Sequence, residues 1–207
     1  MAADPAGVPP PFVVGIGGTG TFRSSTERAL RVALHGAECS GARVRLFGGG
    51  FLGTLPLFRP GCAERCADVA DMLDAVCAAD GVIIASPSYH AGVSAMVKNA
   101  LDYLEDLRDD PRPYLDGRAV GCIVTAAGWQ ACGTTLTALR SIVHALRGWP
   151  TPLGVTLNTS DGPFDPDRAG QHSRAAGALD VVGRQVVELA SAFRAYRAVG
   201  QVAGAAR

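Results

Sequence analysis

The chain of 207 residues contains 19 acidic and 19 basic residues, and 48% of its residues are hydrophobic. This length and composition predict a single globular domain with a buried core. A formal net charge of zero provides no basic field for nucleic acid and no attraction to a membrane surface, so we expect neither partner. No apolar run approaches the roughly 18 residues that a transmembrane helix needs.

The six cysteines are scattered along the chain. Cys62 and Cys66 form the one close pair, and they lack the second pair or nearby histidine that a zinc site requires. We therefore expect reduced thiols, a cytoplasmic location and no metal. Cys77 and Cys122 lie in apolar runs and are expected to fill space in the core.

The chain divides by composition into three parts. Residues 1–11 include four prolines and are expected to be a flexible leader. Residues 12–200 should form a single domain, and residues 201–207 a frayed tail.

Within the domain, five apolar strands alternate with helices, which predicts an α/β fold with a parallel sheet between two layers of helices. We expect strands at 12–16, 44–47, 82–86, 119–125 and 153–157. We expect helices at 25–36, ended by Gly36, at 66–79, at 94–107, from Thr134 or Thr135 to 146, and at 173–199. Segment 48–62 is predicted to be a long loop that is either a lid or a cover for the core.

The first strand runs into a glycine-rich loop, Gly15-x-Gly17-x-x-Gly20, that matches the dinucleotide fingerprint. The acidic residue that this fingerprint needs after the second strand is absent, because that strand runs into 48–50, which are glycines. The loop instead carries hydroxyl groups and a guanidinium at a helix start, which suit a phosphate monoester such as that of FMN. The alternative is ordinary capping, since Ser24-x-x-Glu27 is a capping box. The candidate phosphate ligands are Thr19, Thr21, Arg23, Ser24, Ser25 and Thr26.

Three loops are expected to form one site. For five strands the expected order is 2-1-3-4-5, in which ligands bind at the carboxyl ends of strands one and three. The loop at 87–94 follows the third strand and therefore neighbours the phosphate loop. The loop at 126–133 follows the fourth strand and comes next.

With these loops in place, the chain resembles the NADPH-dependent FMN reductase family, which has a flavodoxin-like fold, over about residues 12–157. In the family's first loop, G-S-x-R-x-x-S-x-N, the two serines and the asparagine correspond to Thr19, Ser24 and Thr26. Thr21 takes the place of the arginine, and Arg23, two residues further on, is a candidate substitute for it. The second loop, P-E-Y-N-G-S, corresponds to 87–92, where His90 replaces the asparagine. The segment 98–104, Lys-Asn-Ala-Leu-Asp-Tyr-Leu, is close to the family's K-N-A-L-D-W-L and is the most specific match.

The resemblance implies an enzyme that passes hydride from NADPH or NADH through FMN to a flavin, a quinone or another small organic acceptor. It also implies a homodimer or homotetramer. Backbone N–H groups of the second and third loops would bond the ring, and Tyr89 and Trp129 would stack on it or on the substrate. Tyr89 could instead only pack the loop, and Trp129 could lie at a subunit interface. The candidate flavin contacts are Pro87, Ser88, Tyr89, His90, Ala91, Gly92, Ala126, Gly128 and Trp129.

No catalytic residue is certain from the sequence. His90 is a possible proton donor, because an imidazole exchanges a proton near neutral pH, and the alternative is a structural hydrogen bond to the loop. Cys132, in the third loop, is either redox-active or incidental. Two other functions stay open: a flavin-binding protein with a specialised biosynthetic redox role, and a non-catalytic flavin or electron carrier. Carriers are usually acidic, which this chain is not.

Overall fold

The structure is a computed structural model that describes residues 9–21, 24–62 and 64–205, the last six by their backbone alone. Most of the expected leader, residues 1–8, lies outside the described residues, as do 206 and 207 of the expected tail. Within the described ranges, no helix is both long enough and apolar enough to cross a membrane.

The sheet contains the predicted parallel core. Its strands run in the order β2-β1-β3-β5, and β6 and β7 both pair with the outer side of β5. The predicted order 2-1-3-4-5 is therefore confirmed, although the last strand is split and β4 adds a short antiparallel hairpin to β3. The split has a simple cause, because Pro152, between β6 and β7, has no N–H to donate to the ladder. The strands are β1 Phe12–Gly17, β2 Arg43–Phe47, β3 Gly81–Tyr89, β4 Gly92–Val93, β5 Ala119–Ala126, β6 Trp149–Pro150 and β7 Val155–Asn158.

Helices cover both faces of the sheet. The apolar side chains of the central strands alternate between two clusters, one packed on α1 and α6 and the other on α3, α4 and α5. The helices are α1 Ser25–Cys39, α2 Gly49–Leu52, α3 Ala67–Ala78, α4 Ala95–Asp102 with a following 3₁₀ turn Tyr103–Leu107, α5 Trp129–Ala145 and α6 Gln171–Ala205.

Several helix boundaries differ from the predictions, and α6 continues to Ala205, through most of the segment that was expected to be a frayed tail. Gly36 does not end α1, which continues to Cys39, because Gly36 serves a close helix crossing instead. A Cβ at Gly36 would lie 2.7 Å from the backbone oxygen of Asp180, and one at Gly183 would lie 2.0 Å from that of Ala33. The predicted loop at 48–62 begins with α2, and most of the predicted loop at 126–133 is the first turn of α5.

The cysteine predictions are half correct. Cys122 is buried in the core, and burial raises the pKa of its thiol to about 12. Cys77 is exposed, because it lies on the outer side of α3 and not on the face that packs on the sheet.

The amino-terminal edge of the sheet is stabilised by a buried arginine. The Arg118 side chain is fully buried and donates hydrogen bonds to the backbone oxygens of Val76 at 3.0 Å and Cys77 at 2.7 Å, at the end of α3. Burial lowers the pKa of Arg118 to about 10, so it remains protonated at neutral pH. These hydrogen bonds give Arg118 a structural role.

Candidate functional site

The loops that follow β1, β3 and β5 meet at the carboxyl edge of the sheet, as predicted. The Oγ1 atoms of Thr26, in the first turn of α1, and Thr125, at the end of β5, lie 2.6 Å apart. The Oγ of Ser88, near the end of β3, lies 2.6 Å from the Oγ1 of Thr135 in α5. These buried or half-buried hydroxyl pairs hold the three loops together from below.

The first loop packs closely against the loop after β2. A Cβ at Gly49 would lie 1.9 Å from the backbone oxygen of Thr19, so the two backbones touch directly. The Glu27 carboxylate accepts a hydrogen bond from the Gly49 N–H at 3.1 Å and forms an ion pair with Arg31 at 2.7 Å. In the sequence analysis, the glycines at 48–50 showed only that the acidic residue of the dinucleotide fingerprint is absent. The structure shows that they also shape the site.

The hydroxyl groups of the first loop have structural partners and are still able to bind phosphate. Ser24 caps α1 by accepting from the Glu27 N–H at 3.2 Å, and Ser25 Oγ accepts from the Phe164 N–H at 2.9 Å. A hydroxyl that accepts a hydrogen bond keeps its own O–H as a donor. Capping and phosphate binding are therefore compatible for both serines.

The other phosphate candidates are placed differently. Thr19 Oγ1 accepts from the Thr21 N–H at 3.1 Å; Thr19 is half-buried and Thr21 is exposed. Thr26 is only 1% exposed, so it lies beneath the loop and binds Thr125. Arg23 lies outside the described residues.

The second loop, predicted as a loop over 87–94, is a tight hairpin. Tyr89 and Gly92 pair across the turn, and the two residues between them have positive φ, 53° for His90 and 60° for Ala91. Two successive left-handed residues make a type I′ turn, for which Asn-Gly is the preferred sequence. The family motif has asparagine and glycine at these two positions. The chain therefore keeps the type I′ turn although His90 and Ala91 do not favour it.

Serine hydroxyls hold this hairpin in place. Ser86 Oγ donates to the Pro87 backbone oxygen at 2.8 Å and accepts from the Ser94 N–H at 3.0 Å. Ser94 in turn caps α4 by accepting from the Val97 N–H at 3.3 Å. The sequence interpretation missed these supporting residues, although a serine at the end of a buried apolar strand is itself a signal.

The exposed part of the second loop is available to a ligand. Tyr89 is 58% exposed, so it does not pack the loop within one chain. His90 is also exposed, and its side chain makes no hydrogen bond within the described part of the chain, so the expected structural hydrogen bond is not seen there.

The third loop is short because α5 starts almost at once. Gly128 has a φ of 145°, which lets the chain turn directly from β5 into α5. Trp129 is then the first helical residue and is 58% exposed. The prediction that Thr134 or Thr135 caps α5 is wrong, since Thr135 is fully buried in the middle of the contact with β3.

Cys132 is poorly placed for a redox role in this site. Its side chain is buried, and its Sγ lies 3.5 Å from the Leu157 backbone oxygen, to which it donates. Burial raises the pKa of the Cys132 thiol, although a hydrogen bond from the Ala126 backbone acts in the opposite direction. A buried protonated thiol is a poor nucleophile.

The site fits an anionic, aromatic cofactor such as FMN. The N-termini of α1 and α5 both open onto the carboxyl edge of the sheet and supply unpaired N–H groups with partial positive charge. Ser24 and Ser25 add hydroxyl donors at the first of these. Tyr89 and Trp129 offer exposed aromatic faces near the other two loops. The donors at the start of α1 suit a phosphate, and the aromatic side chains near the other two loops suit a planar ring.

Comparison with known proteins decides the family. A model of the family described as NADPH-dependent FMN reductase matches residues 11–161. The chain belongs to this family. FMN and NADPH are thus the cofactor and co-substrate that the family's description names, and the resemblance seen in the sequence is confirmed.

Curated relatives agree with this assignment over part of their length. An FMN-dependent NADPH-azoreductase of Staphylococcus haemolyticus (strain JCSC1435) is 30% identical over 102 residues, which cover 49% of this chain and 50% of the relative. The enzyme of the same name from Staphylococcus aureus (strain USA300) is 31% identical with the same coverage. The chain therefore matches about half the length of these relatives.

Solved structures confirm the flavodoxin-like fold. An oxidoreductase from Corynebacterium diphtheriae has a TM-score of 0.74 at 16% identity, covering 89% of this chain and 98% of the other. The apo form of the NADH:FMN oxidoreductase EMOB has a TM-score of 0.67 at 22% identity, covering 84% and 89%. A WrbA-like flavodoxin from Agrobacterium tumefaciens has a TM-score of 0.61 at 16% identity, covering 88% and 99%.

Proposed function

We propose that the protein is an FMN-dependent oxidoreductase that passes hydride from NADPH or NADH through FMN to a small organic acceptor. The observation that carries the proposal is the meeting of three features at one edge of the sheet: the start of α1, the Tyr89–Gly92 hairpin and the Gly128–Trp129 turn. The family match and the names of the azoreductase relatives support the same reaction class.

Each loop has a separate task in this proposal. Ser24, Ser25 and the backbone N–H groups at the start of α1 hold the phosphate. Backbone N–H groups of the hairpin and of Gly128 orient the ring, and Tyr89 and Trp129 stack on the ring or on the substrate, each contact contributing roughly 0.5–1.5 kcal/mol. When bound, FMN supplies the hydride chemistry itself, so the tasks of the chain are to bind the flavin, to orient it against the substrate and to shield it from water.

Anaerobic mixing with NADPH tests the proposal. The FMN-loaded protein is combined with NADPH, and separately with NADH, and the visible absorption of the flavin is followed. Loss of this absorption band with either nucleotide is the expected result. If dithionite bleaches the flavin but neither nucleotide does, the protein is an electron carrier or is reduced by another substrate, and the proposed reaction is wrong.

His90 is the proposed proton donor to the acceptor, because it is exposed on the hairpin beside Tyr89. His90→Asn keeps a residue that tolerates the left-handed turn and removes the imidazole. We expect this variant to lower kcat with a quinone acceptor and to leave the rate of flavin reduction by NADPH unchanged. Equal turnover of variant and wild type across neutral pH would exclude the role.

A homodimer or homotetramer and a cytoplasmic location complete the proposal. Tyr89 and Trp129 are each 58% exposed beside the site, and contact with a second subunit would cover such aromatic surface. Multi-angle light scattering of the purified protein tests the assembly, and a monomer would contradict it. The six cysteines are all unpaired, which suits a reducing compartment.

A further inference from the structure

A cleft adjoins the third loop on the side away from the hairpin. It lies between the carboxyl end of β7 and the first turns of α6, and Trp129 forms part of its wall. Its lining also includes Phe164 and His172 and the polar residues Asn158 and Asp161. Because Trp129 belongs both to this cleft and to the third loop, a molecule bound here lies next to the candidate flavin site.

The aromatic wall of the cleft is firmly held. Phe164 is 3% exposed, and both its backbone N–H and its carbonyl oxygen form hydrogen bonds with side chains of α1. Its N–H donates to Ser25 Oγ at 2.9 Å, and its carbonyl accepts from the Arg28 guanidinium at 3.1 Å. The wall is therefore fixed to the same first turn of α1 that is proposed to hold the phosphate.

His172 presents a hydrogen-bond donor in this cleft. Its ring stacks on Phe164 with centroids 6.0 Å apart and an angle of 15° between the planes. Its Nδ1 accepts a hydrogen bond from the Asp165 N–H at 3.1 Å, which leaves Nε2 as the ring nitrogen that donates. An Nε2–H donor beside a flat aromatic wall suits a carbonyl or another acceptor atom on a planar ligand.

The charge of the cleft limits the kind of ligand. Among the described residues that line it, Asp161 is the one carboxylate, and none is a lysine or an arginine. The nearby Arg28 guanidinium is already engaged by the Phe164 carbonyl. The Asp161 carboxylate opposes the partial positive charge at the starts of α5 and α6, and so disfavours anionic ligands such as the phosphates of a nicotinamide dinucleotide.

We infer that this cleft binds the electron acceptor and selects a planar aromatic molecule that is neutral or cationic and carries a hydrogen-bond acceptor. The identification of the ligand as the electron acceptor rests on the proposed function. Trp129 and the His172 ring, which Phe164 supports from behind, contact the rings of the ligand, His172 Nε2 donates to the acceptor atom, and Asp161 disfavours anions. For a quinone the overall reaction balances as quinone, NADPH and one proton giving hydroquinone and NADP⁺.

Tryptophan fluorescence tests the cleft without flavin. The chain has two tryptophans, and Trp149 lies on β6, where it packs against Phe193 at a centroid distance of 5.5 Å. Trp149→Phe therefore leaves Trp129 as the single reporter. Titration of this variant with menadione, a neutral quinone, should give saturable quenching, and a sulfonated naphthoquinone should bind at least about tenfold more weakly.

Two further substitutions in the Trp149→Phe background test the proposed contacts. His172→Phe keeps an aromatic ring against Phe164 and removes the donor, and should weaken menadione binding by several-fold to about tenfold. Asp161→Asn should reduce the preference for menadione over the sulfonated quinone. Asp167→Asn, on the same segment but exposed and outside the cleft, is the matched control and should change neither affinity.

Steady-state kinetics separates this inference from the proposed function. In the FMN-loaded His172→Phe variant, flavin reduction by NADPH should keep its rate, whereas the KM for menadione should rise. If NADPH does not reduce the wild-type flavin, the proposed function fails, and menadione quenching that depends on His172 still supports an aromatic site. If neither His172→Phe nor Asp161→Asn changes quinone affinity or KM, the assignment of the cleft is overturned.

Discussion

His90 and Ala91 hold a conformation that neither residue favours. Both have left-handed φ, and for residues other than glycine this costs roughly 1–2 kcal/mol each. The turn persists because Tyr89 and Gly92 pair on either side of it and because serine hydroxyls fix the strand ends below it. Strain at a turn that presents backbone N–H groups to a ligand is consistent with a functional position.

Relief of this strain should stabilise the protein. The double substitution His90→Asn with Ala91→Gly gives the sequence preferred in type I′ turns. We expect the free energy of unfolding to rise by about 1 kcal/mol, since the relieved strain exceeds the entropy cost of one glycine. Urea unfolding measures the change.

Ala70→Gly is the control for that substitution. Ala70 is exposed within α3, where a glycine only adds entropy to the unfolded chain. The free energy of unfolding of the Ala70→Gly variant should therefore fall by about 0.5–1 kcal/mol. A double turn variant that loses as much stability as Ala70→Gly would show that the turn is not strained.

The cysteines should separate into reactive and unreactive groups. Cys122 and Cys132 are buried, and burial raises the pKa of both thiols, so both should resist iodoacetamide in the folded protein. The four exposed cysteines should react, and Cys77 should be the slowest because burial and a hydrogen bond with Asp110 raise its pKa.

Mass spectrometry of the labelled protein checks this division. Four alkylated sites are expected in the folded state, and all six after unfolding. Because a raised pKa delays thiolate formation, Cys77 labelling should continue to increase as the pH rises above 8. Rapid labelling of Cys132 in the folded protein would reopen a redox role for it.

At the scale of elements, the crossing of α1 and α6 determines how the site is supported. The two helices cross so closely that only glycine fits at two points of contact, Gly36 and Gly183. This crossing places the segment before α6 against the start of α1, where Ser25 and Phe164 are hydrogen-bonded. The helix pair therefore links the phosphate loop to the aromatic cleft.

Substitution at this crossing should be costly. A Cβ at Gly183 would lie 2.0 Å from the Ala33 backbone oxygen, so Gly183→Ala must push the helices apart. We expect a loss of about 2–3 kcal/mol in the free energy of unfolding, despite the better helix propensity of alanine. Gly177→Ala, in the same helix with no atom within 4 Å of its Cβ, should instead gain up to about 1 kcal/mol. Equal effects of the two substitutions, measured by urea unfolding, would contradict the close crossing.

The sequence predicted those elements whose signal is local burial. Val82, Ile83 and Ile84 are apolar because β3 is covered on both faces, and that alone identifies a central parallel strand. Gly36 misled the prediction because a glycine that permits a close crossing looks the same as one that ends a helix. Thr135 misled it in the same way, since a buried threonine that bonds Ser88 resembles a cap. Such roles depend on the partner element and leave no local pattern.

At the scale of the molecule, the sheet order explains why one edge carries the function. Residues separated by 99 positions, Thr26 and Thr125, touch because the strand order reverses at β1 and β3. The sequence predicted this convergence. The aromatic cleft could not be predicted, because His172 and Phe164 lie in a polar segment and meet Trp129 only through the packing of α6.

The comparison of FMN with riboflavin tests the central claim, a site with a phosphate at the start of α1 and a ring over the other two loops. Riboflavin has the same ring and lacks the phosphate. Titration of the apoprotein, followed by quenching of flavin fluorescence, should show one FMN per chain and riboflavin binding that is weaker by on the order of 100-fold, because charge-assisted hydrogen bonds are lost. Equal affinity for the two flavins would contradict the phosphate loop, and binding of neither would contradict the flavin site as a whole.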